Sequence, residues 1–375
     1  MINSLAGGGA ERVMTTLLDN SKDWLGRHEI RLAVLDDEGR DFVLPSWLDV
    51  VQLDCRHRTV RSIAEVDRAV REWLPDVTVS FLTRANLATV FAMARCRRPC
   101  IISERTSTSA HLGSGPRQLV TKSLIRLSYP RATRVIAVST GVAAKLEKDF
   151  AVGGDRLDVI PNPVDMTRIE IDAQEPQRVA VEGPYIIAVG RLVAVKNYAL
   201  LIRAFARAKT SAKLVIAGDG PERAALQALA AELGIADRVI LPGWVRNPYP
   251  LVARASLFAL TSNVEGFPNA LVEALALGIP VVATNCSEGP AEILASKRIE
   301  EVSGVTRARF GILSPVGDEQ AFTQALELGL NAKVGGELRA AGPRRARDYA
   351  APAIAGCYWG VIDQVLEQAR ARSPS

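Results

Sequence analysis

Short apolar runs alternate with helix-type patterns along almost the whole chain. The runs are continuous rather than strictly alternating, which indicates strands that are covered on both faces and therefore parallel. In the first half, this pattern predicts strands at Arg31–Asp36, Val77–Leu82, Pro99–Ser103 and Arg134–Ser139. A period of about 3.6 residues predicts a helix at Ser62–Leu74 between the first two strands.

The same rhythm restarts after a polar stretch with little periodicity. Strands are predicted at Tyr185–Val189, Lys213–Ala217, Arg238–Leu241, Ser256–Leu260 and Pro280–Ala283. Helices are predicted at Asn197–Lys209, Pro221–Leu233, Asn269–Leu277 and Asp318–Leu330. We therefore expect an α/β protein with two doubly wound, Rossmann-like domains whose strand ends face each other across a cleft.

The domain boundaries follow from this rhythm. The first domain is predicted at residues 1–165, an interdomain linker at 166–184 and the second domain at 185–350. The last stretch, 351–375, is predicted as a helix that packs back towards the first domain.

Composition narrows the class of protein. Hydrophobic residues make up 48% of the chain and charged residues 23%, as in soluble globular proteins. The sequence has no apolar run of about 18 residues and no secretory signal pattern at its start, which favours a cytoplasmic protein. Five cysteines and three histidines show no zinc-site spacing, so we expect no structural metal and no disulfide.

The positive charge is concentrated in the first half. The net charge is +5, but Cys55–Phe150 contains 17 Lys/Arg against 7 Asp/Glu. Such an excess suggests an anionic partner, either nucleic acid or an anionic membrane surface, although a solvated basic face remains an alternative. The aromatic content of 5% leaves few stacking platforms for a nucleic acid strand.

Two turns of the second domain have features of phosphate sites. Gly190, Arg191 and Lys196 follow its first predicted strand, where the two cations can converge on a phosphate. Gly218 and Gly220 follow the second strand and permit a tight backbone. Surface cations and an ordinary turn are the alternatives from these residues alone.

The stretch from Ser262 to Gly278 is more informative. Glu265 lies on a turn and Glu273 lies eight positions later, near the start of the predicted helix. Backbone N–H groups at a helix start attract a diphosphate, and a carboxylate such as Glu273 can bind a ribose diol. Glu265 can accept hydrogen bonds from sugar hydroxyls. The alternative is a capped helix with two exposed acids.

At this point the sequence resembles the family 4 (group 1) glycosyltransferases, which are retaining enzymes of the GT-B fold. Glu265 and Glu273 match the E-x7-E motif of that family. The matching segments extend over nearly the whole chain and are G7-G-G-A-E-R, I160-P-N-P-V-D, G190-R-L-V-A-V-K-N, A217-G-D-G-P, L241-P-G-W and A276-L-G-I-P-V-V-A-T-N. The resemblance is greatest to bacterial enzymes that elongate lipid-linked glycans and surface polysaccharides.

The resemblance implies a hexosyltransferase or N-acetylhexosaminyltransferase that uses an NDP-sugar, with a UDP-sugar as the expected donor, and that needs no metal or other cofactor. Arg191, Lys196 and Glu265 would be the catalytic residues, with the two cations neutralising the leaving diphosphate. Donor contacts would come from Gly8, Gly9, Gly190, Gly218, Gly220, Gly266, Phe267, Pro268, Asn269, Ala270, Leu271 and Glu273. The acceptor, expected to be a lipid-linked glycan, would bind the first domain.

One segment departs from the family pattern. Many members have a sugar-facing histidine after the fourth strand of the first domain, whereas this chain reads I102-S-E-R-T-S107, with His111 further on. Glu104 or Arg105 is therefore the expected sugar or acceptor contact, or no residue takes that role.

The basic first half is then expected to dock on anionic lipid headgroups rather than on nucleic acid, making the enzyme peripheral on the inner face of the cytoplasmic membrane. Gln118–Leu127 carries apolar residues together with Lys122 and Arg126, four positions apart. A core-facing helix with a solvated edge is the alternative for this segment.

Three other functions are alternatives to the transferase. An NDP-sugar 2-epimerase would share the fold but require titratable acid/base residues in the cleft, and the sequence shows no histidine-containing set of that kind. A nicotinamide dehydrogenase would need a G-x-G-x-x-G spacing, which Gly7–Gly9 does not provide. A degenerate donor-binding module is disfavoured because Arg191, Lys196 and both motif glutamates are present.

The chain start raises a further expectation. The first strand of such a sheet is central, yet only Met1–Asn3 precede the glycine-rich turn at Gly7–Gly9. Relatives in the family begin earlier with an apolar run. The sequence therefore suggests an assigned start that lies downstream of the true one.

Overall fold

A computed structural model describes residues 1–39, 43–105, 116–177 and 179–372. The chain divides into two compact units, each with its own core. Unit 1 contains Met1–Pro163 and the segment that begins at Ala351, and unit 2 contains Val164–Ala350.

Unit 1 is built from parallel strands that alternate with helices. Its strands are β1 (Arg31–Val34), β2 (Asp49–Gln52), β3 (Thr78–Phe81), β4 (Cys100–Glu104), β5 (Arg134–Ala137) and β6 (Leu157–Val159). Its helices are α1 (Gly9–Asp19), α2 (Thr59–Trp73), α3 (Thr83–Arg95), α4 (Pro116–Ser128), α5 (Thr140–Phe150) and, at the carboxyl end of the chain, α14 (Ala351–Arg372). The pairs β1–β2 and β3–β4–β5–β6 are parallel throughout.

Met1–Asn3 join these two sets of strands. The N–H of Ile2 donates to the carbonyl of Ala33 at 3.1 Å, and the N–H of Phe81 donates to the carbonyl of Met1 at 3.0 Å. The Met1 nitrogen donates to the carbonyl of Val79 at 2.6 Å. The first residues therefore occupy the central position expected for them, beside a cavity of about 420 Å³ that Met1 and Val79 help to line.

Helix α14 packs within unit 1. Its Trp359 stacks on Trp24 with ring centroids 5.4 Å apart, and its indole N–H donates to the Ser21 hydroxyl at 2.9 Å. Its apolar residues Ile354 and Tyr358 join the same core as Phe81. Of the helices in the described part of the chain, none has both the length and the apolar character that a membrane span requires.

Unit 2 is a second parallel α/β sheet. Its strands are β7 (Tyr185–Val189), β8 (Lys213–Ala217), β9 (Val239–Gly243), β10 (Leu257–Leu260), β11 (Val281–Thr284), β12 (Thr306–Arg307) and β13 (Ile312–Ser314). Its helices are α6 (Met166–Asp172), α7 (Tyr198–Arg207), α8 (Arg223–Glu232), α9 (Tyr249–Ala253), α10 (Asn269–Ala276), α11 (Pro290–Ala295), α12 (Glu319–Leu330) and α13 (Ala332–Arg347).

The strand order in unit 2 is β12-β13-β11-β10-β7-β8-β9, and only the pairing of β12 with β13 is antiparallel. The apolar runs predicted at Tyr185–Val189 and Lys213–Ala217 are confirmed to the residue. Because both faces of these strands are covered, their side chains are buried along nearly the whole length.

The segment predicted as a linker, 166–184, is not simply irregular, and this part of the prediction is corrected. Helix α6 lies within it and belongs to unit 2. The Asp165 side chain caps its start by accepting from the N–H of Arg168 at 2.9 Å, and Ile169 is buried. Asn247 then donates to the carbonyl of Asp172 at 2.7 Å, which fixes the other end.

Candidate active site

The first two turns of unit 2 lie side by side at the carboxyl ends of β7 and β8. The N–H of Gly190 donates to the carbonyl of Ala217 at 3.0 Å. A Cβ on Gly218 would lie 1.9 Å from the carbonyl oxygen of Gly190, and one on Gly220 would lie 2.4 Å from that of Leu192. Both positions therefore require glycine because two backbones meet there, whatever ligand the turns bind.

The turn after β7 is followed by two cations in different surroundings. Arg191 is exposed and forms no ion pair with any acidic side chain among the described residues. Lys196 ends a single helical turn, Ala194–Lys196, and its carbonyl accepts from the Thr261 hydroxyl at 2.9 Å. This hydrogen bond ties the turn after β7 to the end of β10.

Lys196 and Glu265 form an ion pair although they are 69 positions apart. The Lys196 ammonium donates to Oε1 of Glu265 at 2.6 Å, and the Ser262 hydroxyl donates to the same oxygen at 2.5 Å. The Glu265 side chain is 10% exposed and that of Lys196 26%. The carboxylate is thus held by two donors, while the ammonium keeps access to solvent.

The loop after Glu265 leads directly into helix α10. Asn269 is its first residue, so Glu273 lies in its second turn. Taken as whole residues, Glu265 and Glu273 are only 8% and 7% exposed. This burial rules out the alternative of a helix with two exposed acids. The start of α10 places a partial positive charge next to the Lys196–Glu265 pair, and this favours an anionic ligand.

The groups around Glu265 do not provide a nucleophile. Burial, reinforced by the charge of Glu265, raises the pKa of the Cys286 thiol to about 12. Burial and the same carboxylate also raise the pKa of Tyr198. Both groups are neutral at pH 7, and a protonated thiol is a poor nucleophile. The Lys196 ammonium and the helix start at Asn269 make the site suited to electrostatic stabilisation of an anion.

In the described ranges, no group of three or more His, Cys, Asp or Glu side chains is arranged to hold a metal ion.

The glycine-rich turn of unit 1 begins helix α1. Gly8 is its N-cap residue and Gly9 its first helical residue. A Cβ on Gly8 would lie 2.1 Å from Oε2 of Glu11, so the Glu11 side chain folds back over the start of the helix. Burial raises the pKa of this carboxyl group. Donor contact by Gly8 and Gly9 stays a prediction.

Glu104 and Arg105 are buried in unit 1, and a sugar or acceptor contact by either residue stays a prediction. Glu104 is 1% exposed and accepts a hydrogen bond from the Tyr129 hydroxyl at 2.7 Å. Arg105 is 5% exposed, donates to the Tyr358 hydroxyl at 2.8 Å and also bonds to Asn162. Both side chains are occupied by the fold, and His111 lies outside the described residues.

Sequence reasoning missed several residues that complete the site. Ser262 holds Glu265, Thr261 holds Lys196, and Asn197 donates to the amide oxygen of Asn263 at 3.0 Å. Ser262 could have been found from the sequence, because its hydroxyl lies three positions before Glu265 and can reach that carboxylate. The other contacts join segments that are distant in sequence.

The chain forms two α/β units, each built around a mainly parallel sheet, and the charged site lies at the strand ends of the second unit. This architecture is that of the GT-B class of fold. The sequence matches the family model of Glycosyltransferase Family 4 over residues 7–168 and that of Glycosyl transferases group 1 over residues 170–347. The chain belongs to this family of glycosyltransferases and is an enzyme of the transferase class.

Known proteins agree with this assignment. The chain is 32% identical over 338 residues to N-acetylgalactosamine-N,N'-diacetylbacillosaminyl-diphospho-undecaprenol 4-alpha-N-acetylgalactosaminyltransferase of Campylobacter jejuni, covering 87% of this chain and 88% of that protein. It is 28% identical over 259 residues to the lipopolysaccharide 1,6-galactosyltransferase of Escherichia coli, covering 66% and 69%. The crystal structure of Anabaena HepE in complex with UDP and glucose superposes with a TM-score of 0.76 at 19% identity, covering 97% and 99%, and supports the fold.

Proposed function

We propose that this enzyme moves a hexose or N-acetylhexosamine from an NDP-sugar to a glycan acceptor with retention of anomeric configuration, in the biosynthesis of cell-surface polysaccharide or glycoconjugate. The observation that carries this proposal is the Lys196–Glu265 pair at the start of α10, with Glu273 buried one turn further on. This arrangement offers a cation and helix N–H groups to a diphosphate, and carboxylates to sugar and ribose hydroxyls.

The roles follow from the charges. Arg191 and Lys196 neutralise the leaving diphosphate, while Glu265 accepts hydrogen bonds from the transferred sugar. Glu273 binds the ribose, and the loop from Gly266 to Asn269 contacts the phosphates. Lys196 exchanges its contact with Glu265 for one with the diphosphate when the donor binds. No metal or other cofactor is invoked, since two side-chain cations supply the positive charge.

The reaction proposed is a front-face displacement. The bond from C1 of the sugar to the diphosphate oxygen breaks, and the acceptor oxygen bonds to C1 on the same face. The proton of the acceptor hydroxyl passes to the departing diphosphate. Catalysis then depends on stabilising the developing negative charge and positioning the acceptor, rather than on a side-chain acid/base pair.

The nature of the donor and acceptor is inferred from relatives. HepE was crystallised with UDP and glucose, which supports a uridine nucleotide here. The Campylobacter relative is named for a diphospho-undecaprenol acceptor, which supports a lipid-linked acceptor. The proposed partners are therefore a UDP-sugar and a lipid-linked glycan, with no nucleic acid.

A binding experiment tests the donor site. Glu273→Ala is expected to raise the Kd for UDP about 10- to 100-fold, because a buried carboxylate that binds a diol is lost. Glu232→Ala, at an exposed position on α8, is the matched control and should leave the Kd unchanged. Equal Kd values for both variants and the wild type would refute the assignment of Glu273.

A turnover experiment tests the reaction class. A panel of NDP-sugars is incubated with the enzyme and lipid-linked acceptors, and products are followed by mass spectrometry and NMR. Retained configuration in a new glycoside supports the proposal. An inverted linkage, or C2 epimerisation of the donor as in the 2-epimerases of this fold, would contradict it.

Helix α4 supports the proposed docking on an anionic membrane. Leu119, Val120 and Leu127 are 68%, 61% and 52% exposed, and Arg126 beside them is also exposed. Exposed apolar side chains next to basic ones suit the interface of an anionic bilayer. The proposed location is therefore peripheral, on the inner face of the cytoplasmic membrane.

Flotation with vesicles tests this docking. The wild type should float with vesicles of equal parts phosphatidylcholine and phosphatidylglycerol, and less so at high salt. Leu119→Ser with Leu127→Ser should weaken flotation, whereas Val60→Ser, an exposed apolar control on α2, should not. No flotation of the wild type at low salt would refute membrane docking.

A further inference from the structure

Tyr349 joins the loop after Glu265 to both points at which the chain passes between the two units. Its ring lies edge-on to Phe267, with centroids 5.2 Å apart and planes at 74°. Its carbonyl accepts from the N–H of Val164, the first residue of unit 2, at 2.8 Å. The next residue, Ala350, is the last residue of unit 2 and pairs with Val164 as a parallel bridge.

The ring of Tyr349 is fixed rather than mobile. It is 7% exposed, and the Arg345 guanidinium lies 5.0 Å from its centroid. Arg345 is itself held, because it donates to the carbonyls of Glu292 at 2.7 Å and Ile293 at 2.9 Å in helix α11. The ring therefore has a defined position from which to contact Phe267.

The backbone of the same loop packs closely against Gly289. A Cβ on Gly289, whose φ is +101°, would lie 2.8 Å from Cδ of Pro268 and 3.4 Å from Cα of Phe267. The loop from Gly266 to Pro268 thus contacts both the turn before α11 and the ring of Tyr349. A change in either neighbour would shift the N–H groups at the start of α10.

We propose that Tyr349 is a positioning residue that sets the donor-binding loop and couples its occupancy to the two chain crossings at Val164 and Ala350. The coupling rests on the proposed function, because the ligand of the loop is taken to be the NDP-sugar diphosphate. Its path is short and consists of one ring contact, Phe267 to Tyr349, and one backbone hydrogen bond, Tyr349 to Val164.

Three variants separate this role from general stability. Tyr349→Phe keeps the ring, and Tyr349→Leu keeps apolar volume but loses the edge-on contact. Tyr185→Leu is the control, since Tyr185 is an equally buried tyrosine at the opposite, amino end of β7. An aromatic pair contributes enough that its loss should weaken UDP binding about five- to tenfold.

The readouts are the Kd for UDP by calorimetry, the Tm, and amide hydrogen exchange with and without UDP. In the wild type, UDP should slow exchange at the N–H of Val164. Tyr349→Leu should raise the Kd for UDP and abolish the protection of the Val164 N–H. Tyr349→Phe should keep the wild-type Kd and the wild-type protection. Tyr185→Leu should lower only the Tm.

The outcomes distinguish a failure of the proposed function from a failure of the coupling role of Tyr349. If the wild type does not bind UDP, the proposed function fails. If the wild type binds UDP but Tyr349→Leu behaves like Tyr349→Phe in Kd and in exchange at Val164, the coupling role is wrong while the donor site stands.

Discussion

Both units place a glutamate and a cation at or beyond the carboxyl ends of buried strands, but the surroundings of these residues differ between the units. In unit 2, Glu265 is held by Lys196 and Ser262, and the ammonium remains partly exposed. In unit 1, Glu104 and Arg105 are almost fully buried and bond to tyrosines of their own core. We therefore expect Lys196, which is partly exposed, to reach a ligand, and Arg105, which is buried, to stabilise unit 1.

The largest expected effect comes from changing the unit 2 pair. Glu265→Gln should lower kcat for sugar transfer about 100-fold or more, because a charged acceptor at the reacting sugar is lost. The Tm should change little, since Lys196 can turn towards solvent. Initial rates with a UDP-sugar measure kcat, and a thermal melt measures the Tm. A large fall in Tm with an unchanged kcat would mean that Glu265 stabilises the fold rather than serving the reaction.

The corresponding change in unit 1 should affect stability instead. Arg105→Met should lower the free energy of unfolding by about 2 kcal/mol, because the buried hydrogen bonds from a charged donor to Tyr358 and Asn162 are lost. Urea unfolding measures it, with Arg68→Met, an exposed arginine on α2, as the control. If Arg105→Met instead removes activity without loss of stability, Arg105 contacts substrate as first expected.

The contrast between the pairs could not be predicted from the sequence. The apolar runs of β7 and β8 were predicted to the residue because strands covered on both faces are continuous in hydrophobicity. By comparison, Lys196 and Glu265 are 69 positions apart, and Arg105 meets Tyr358 across 253 positions. Such contacts depend on how loops and a terminal helix pack. The short helix α6 was missed because Ile169 is its single buried residue, so the sequence shows no apolar periodicity there.

The central claim is that Lys196 leaves Glu265 to bind the diphosphate, whereas Glu265 binds the sugar. Titration of UDP, which carries the diphosphate but no sugar, into Lys196→Met and Glu265→Gln tests it most directly. The account predicts that Lys196→Met weakens UDP binding about tenfold or more, while Glu265→Gln leaves it unchanged or tighter. Equal weakening by both variants, or none by Lys196→Met, would contradict the claim.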